Sequence, residues 1–163
     1  MPLSEEFAKL ARNYVICCEA RRLAAKAWSV LKGRETEFDR DEAMALFADL
    51  RSVDENYYHY NICKLLFQRG DGEFTAFADC KFGPTQFLVA QGYRWGKGVA
   101  PDLDLARQHY AMGFRLGNIP CFLALFSMLS LRAKLANIAA MLLRSVEFVY
   151  LKSKSEDDTR ILY

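Results

Sequence analysis

Two stretches of this chain place a glycine, an aspartate, an alanine and an aromatic at matching intervals, and that spacing restricts the fold more than any other feature. Gly96 precedes Asp102 by six residues, and Asp102-x3-Ala106-x3-Tyr110 follows; Gly33 precedes Asp39 by six, and Asp39-x3-Ala43-x3-Phe47 follows. Each piece has a physical role at a helix start. A loop glycine admits positive φ. The aspartate accepts from the unpaired N–H groups of the helix it opens. Residues four apart share one helix face, where alanine is small enough to let a second helix approach. The pattern describes helices paired through tight loops.

The rest of the chain is consistent with that. No segment alternates with period two for long enough to make a strand. Ser4, followed by Glu5 and Glu6, starts a helix that meets no Gly or Pro before Gly33, with Phe7, Leu10, Ala11, Tyr14, Val15 and Cys18 on one face and Leu23, Ala24, Ala27, Trp28 and Leu31 continuing it. A second helix starts near Asp39 or Asp41 and carries Ala43, Leu46, Phe47 and Leu50. A third covers about Asp54–Arg69, with Tyr57, Tyr58, Ile62, Leu65 and Leu66 as candidates for burial, and Gly70-Asp71-Gly72 stops it. A shorter helix is expected over Glu73–Phe82, ended by Gly83-Pro84, then one over about Thr85–Trp95 and one from Asp102 to about Leu116. Two apolar helices, divided near Leu131–Leu135, complete the fold to about Leu151. Eight short helices and no strands make an all-α protein.

The best-formed unit covers residues 83–118, with the skeleton Tyr93-x2-Gly96-x-Gly98-Val99-x2-Asp102-x3-Ala106-x3-Tyr110 closed by Gly117-Asn118. This stretch resembles a Sel-one-like repeat, the tetratricopeptide relative with a Gly-x-Gly-Val loop between its two helices. It departs from the family at Gly113, where a second alanine is preferred. Fainter copies lie at about 8–50 and 54–82. Gly33 to Gly70 is 37 residues, near a full repeat, but Gly70 to Gly96 is only 26. Such a unit cannot bury its apolar face alone, so about three copies and caps are needed. The resemblance implies a short right-handed α-solenoid in a single domain over 1–151, with residues 119–151 as a C-terminal capping helix pair and 152–163 as a charged tail.

Composition narrows the function by exclusion. A net charge of +2 over 163 residues is too small for a nucleic-acid footprint. Neither apolar run after Pro120 reaches the roughly 18–20 residues of a membrane span, and Arg132 and Lys134 stand between them. The N-terminal MPLSEEFAKLARN has no basic flank leading into an apolar run, so no signal peptide and a cytoplasmic location are expected. Five cysteines without a CxxC pair read as buried free thiols, not as a metal site. Gly92-Tyr-Arg-Trp-Gly96-Lys97-Gly98 has three residues where a phosphate loop needs four, and no Ser or Thr after the lysine. Asp39/Asp41 and Asp102/Asp104 read as helix-start acids. His59 and Cys63 lie one turn apart but lack a third, orienting group. The reading is a non-enzyme without cofactor, metal or catalytic residues.

A binding module is what the resemblance implies. The resemblance implies that the first helices of the repeats line a concave groove. There Tyr57, Tyr60 and Lys64 on one first helix, and Gln91, Arg94 and Trp95 on another, are the candidate partner-binding residues; Tyr, Trp and Arg among them are the types that dominate protein-binding hot spots. The expected function is a protein–protein interaction module, an adaptor or a specific inhibitor of the immunity type, that holds a protein or peptide. The alternative is a self-associating structural protein that dimerises through the apolar C-terminal helices, with Phe122, Leu125 and Leu129 at the contact.

Overall fold

A computed structural model describes residues 16, 18–33 and 39–154. The expected start of the first helix at Ser4, its apolar residues Phe7 to Val15, and the tail after residue 154 lie outside the described residues. Among those described there is no strand, and the chain is all-α. The helices are α1 (Cys18–Leu31), α2 (Arg40–Val53), α3 (Glu55–Arg69), α4 (Gly83–Trp95), α5 (Leu103–Arg115), α6 (Ile119–Ser127), α7 (Leu131–Ala136) and α8 (Ile138–Lys154), with a 3-10 segment over Gly72–Phe77 between α3 and α4.

The aspartates open the helices as their spacing requires. Asp39 Oδ1 accepts from the Asp41 and Glu42 amides at 2.8 and 3.0 Å, and Asp102 Oδ1 from the Asp104 and Leu105 amides at 2.9 Å each. The matched positions behind them are buried: Ala43 and Phe47 in one copy, Ala106 and Tyr110 in the other. α1 packs along α2 and α4 along α5, and these two pairs share the broadest helix contacts. α3 joins the pairs, touching α2 on one side and α4 on the other, while α6 packs on α5 and carries α8.

Three apolar clusters follow one another along the chain. Ala20, Ala24, Ala27 and Val30 of α1 meet Ala43, Phe47 and Leu50 of α2. Tyr60, Cys63, Phe74, Phe82 and Val89 form the middle. Ala90, Ala106, Tyr110, Cys121 and Ala124 form the third. The first and middle clusters are tied by a polar bridge: Trp28 Nε1 donates to Asn61 Oδ1 at 2.7 Å, and Asn61 Nδ2 donates to the Tyr57 carbonyl at 2.7 Å.

The two glycine-rich loops pack on each other. Gly98, at φ +77°, sits so close to the Gly70–Gly72 loop that a Cβ there would lie 2.7 Å from the Gly70 carbonyl oxygen. A Cβ on Gly72 would lie 2.6 Å from that of Gly98. Only glycine combines a left-handed backbone with this approach. Lys97 follows by laying its ammonium 4.4 Å from the centre of the Phe67 ring on α3.

Several boundaries differ from the sequence expectation. Gly83-Pro84 opens α4 instead of ending the helix before it, because proline suits a first turn, where its missing N–H has no partner to lose. The expected helix over Glu73–Phe82 is a 3-10 segment ending at Phe77. The C-terminal pair is three helices, and α8 runs past Leu151 to Lys154. On α3 the buried residues are Tyr60, Asn61 and Cys63, with Tyr57, Tyr58, Ile62, Leu65 and Leu66 only half-buried. Of the thiols, Cys63 and Cys121 are buried and Cys80 is half-buried, but Cys18 is exposed. Cys17 lies outside the described residues. Gly113 has a local reason: a Cβ would collide with Cys121 Sγ of α6 and press on the Gly83 carbonyl.

Candidate partner-binding surface

The six candidate residues fall into two sets with different surroundings. On α3, Asp54 caps the first turn through the Tyr57 amide at 2.9 Å. The Tyr57 and Tyr60 rings stack at 5.9 Å with 14° between their planes. Tyr60 is only 3% exposed and meets Phe82 edge-on at 6.1 Å. Lys64 covers it, with Nζ 5.5 Å from the ring centre and donating to the phenolic oxygen at 3.4 Å. Burial pulls the Lys64 ammonium below its ordinary pKa, and the Lys32 charge adds to this. Of this set, Tyr60 works as core.

In the α4 set Trp95 is presented to solvent, with Gln91 and Arg94 half-buried beside it. Gly96, in the left-handed conformation, ends the helix just after Trp95, and the indole is 66% exposed. Its orientation is held by its own helix: Trp95 Nε1 donates to Gln91 Oε1, and the Arg94 guanidinium stands 4.7 Å from the centre of the ring. Arg94 is itself tethered, since Nη1 donates to Ser127 Oγ of α6 at 3.2 Å. An exposed aromatic fixed by a hydrogen bond and a stacked cation loses little freedom when something lands on it.

A separate concave feature lies where α5 and α6 meet the turn at Asn137 between α7 and α8. It is an open apolar groove of about 490 Å3 walled by Phe114, Phe122, Leu125, Phe126 and Leu129, with Arg107 and Asn137 as polar lining. Phe122 is gripped between Phe114 at 5.1 Å and Phe126 at 6.5 Å. Three of these five apolar walls were legible in the sequence. Phe126 could have been added from its position one turn after Phe122, but Phe114 comes from another helix and only packing brings it there.

Sequence reading missed a buried polar network centred on Gln86. Its Nε2 donates to the carbonyls of Ala78 and Cys80, both at 2.7 Å. With both amide hydrogens committed, Oε1 faces His109 Nδ1 at 2.7 Å, so that nitrogen carries the hydrogen. His109 also stacks on Tyr93 at 5.7 Å and 5°. Burial lowers the His109 pKa below 6.5, with the Asp79 charge acting in the opposite direction. The folded state therefore favours neutral imidazole. Its contribution to stability is complete above the unfolded value near 6.5 and is lost as pH falls through the lowered folded value. Thermal melts between pH 7 and 5 are expected to show a shallower acid-side fall in Tm for His109→Phe than for wild type; parallel falls would refute this.

The His59 and Cys63 surroundings do not suit a nucleophile. His59 lies between the Tyr58 and Phe77 rings at 5.5 Å from each, and burial pushes the Cys63 thiol up to about 12, with Cys80 adding to this. Such a thiol supplies almost no thiolate at neutral pH. Among the described residues no three metal-ligating side chains cluster, and no helix is long and apolar enough to cross a membrane.

The class reached from the geometry is an all-helical protein with an anchored, exposed tryptophan and a separate apolar groove. No protein-family model, curated protein or solved structure matches the chain.

Proposed function

We propose that this chain is a non-catalytic protein-interaction module, an adaptor or specific inhibitor working in the cytoplasm, built as a short α-solenoid of Sel-one-like repeats. Support for the repeat reading comes from the equivalent Asp39 and Asp102 caps, the equivalent buried pairs behind them, the stacking of the two glycine loops, and helices that touch mainly their chain neighbours. The observation that carries the binding reading is Trp95, exposed yet held by Gln91 and Arg94. Tryptophan and arginine are the side chains most often found at interface hot spots. Tyr57 and Lys64 on α3 are further contacts in this reading, with Tyr60 behind them in the core.

Affinity capture from the native cell with quantitative mass spectrometry, comparing wild type with Arg94→Ala/Trp95→Ala, tests it. One protein is expected to be retained about thirtyfold less well by the variant, as loss of a hot spot of 2 kcal/mol or more implies. The melting curve of Trp95→Ala alone should be nearly unchanged, because the indole is surface-exposed; the double variant also loses the Arg94–Ser127 hydrogen bond and should melt only slightly lower. Equal recovery of every captured protein would sink the assignment.

A second reading, self-association through the C-terminal helices, is favoured by the apolar groove with Phe122, Leu125 and Leu129 in its walls.

A further inference from the structure

Helix α8 is inverted with respect to an ordinary surface helix. Leu151 and Phe148 pack inward toward Ile119 and Leu123. The polar side chains Arg144 and Glu147 pair with each other and are only about a third exposed. The solvent side instead carries Ile138, Leu142, Leu143, Val146, Val149 and Tyr150, each between 49% and 72% exposed. A helix that ends a soluble fold should show the opposite arrangement.

We infer that this face docks against the same face of a second copy of the chain, with the two α8 helices antiparallel and the twofold axis passing near Val146. Three observations select that occupant. The first is area. Six large apolar side chains at about half exposure or more on one helix face make a contiguous patch of several hundred Å2, the scale at which an exposed apolar patch marks an interaction site. The second is spacing. Ala139, Leu142, Val146 and Val149 recur at intervals of three, four and three, the seam that lets two helices interlock, with a β-branched residue at its centre. The third is charge. No charged residue interrupts the exposed stripe from Ile138 to Tyr150, so matching it to itself sets no like charges together. Antiparallel pairing also opposes the two helix dipoles favourably, which parallel pairing does not. Across the axis, Val146 meets its own copy, and Leu142 meets the second copy's Val149. The surface is isologous and therefore closes at two subunits.

This inference deepens the self-association reading and is independent of Trp95. Sedimentation equilibrium of the full chain from 1 to 100 µM tests it. Wild type is expected to be a dimer. Val146→Lys, which sets two like charges on the axis, is expected to weaken dimerisation at least about a hundredfold with an unchanged circular dichroism spectrum, since the side chain is exposed. Val146→Cys is expected to form an intersubunit disulfide on mild oxidation in excess of any formed by wild type or by Met44→Cys on the exposed side of α2. Arg94→Ala/Trp95→Ala should leave the dimer intact. A wild-type monomer across the range overturns the inference; if that monomer also floats with anionic lipid vesicles, the face belongs to a membrane surface. A dimer that survives Val146→Lys but is broken by Leu125→Asp overturns the α8 seam while preserving self-association through the groove.

Discussion

Phe74→Ala is expected to lower the free energy of unfolding by about 3–5 kcal/mol, the range for removing a buried phenylalanine and leaving its cavity. Phe74 is fully buried, where the 3-10 segment lies against α3 and α4. Phe67 and Tyr93 contact its ring edge-on at 6.1 and 6.5 Å. The para end of its ring abuts Gly92, and a Cβ at that position would collide with Cζ. Gly92→Ala alone is therefore expected to cost about 1–3 kcal/mol by overpacking, although alanine is the better helix former by about 1 kcal/mol. The two changes should not add. Once the ring is gone the methyl has room, so Phe74→Ala/Gly92→Ala should be more stable than the sum of the single losses predicts, by more than about 1 kcal/mol. Urea unfolding of the four proteins, followed by circular dichroism, measures this. Additive losses would mean that the ring and the glycine are not in register.

Gln86→Met is the second large effect, with an expected loss of about 2–5 kcal/mol. Methionine fills similar space, so the cost isolates hydrogen bonding. The Ala78 and Cys80 carbonyls lose their donor in a part-buried setting, where each group left unsatisfied costs up to roughly 1–3 kcal/mol. His109 loses the acceptor that fixes its tautomer. The damage should be local as well as global. Amide hydrogen exchange should quicken first in residues 78–82, the connection that Gln86 pins to α4. A variant as stable as wild type, with unchanged exchange there, would show that the network is dispensable.

Both effects concern residues that the sequence left unremarked. Phe74 was one aromatic of many in a short segment. Gln86 was a polar residue on a helix, where the ordinary expectation is solvent. Their importance comes from contacts with residues outside their own element, such as Phe74 with Gly92 and Gln86 with His109. Tyr60 shows the same limit from the other side. As a tyrosine beside Tyr57 and Lys64 it suggested a binding face, yet α4 and Phe82 close over it. Trp95 kept its surface position because Gly96 ends the helix immediately after it, a stop that is plain in the sequence.

What the sequence determined by itself was local: an all-helical chain, helix starts at Asp39, Asp54 and Asp102, the turn at Gly96–Gly98, and the small-and-aromatic pairs that face inward. These follow from propensity, capping and 3.6-residue periodicity, which act within about one turn of chain. Tertiary structure decided which apolar faces found partners. Composition made α6 and α8 look alike as apolar C-terminal helices. Packing covers α6 on α5 and leaves Leu142, Leu143, Val146 and Val149 of α8 exposed, because burial depends on which surfaces meet and not on how apolar each one is.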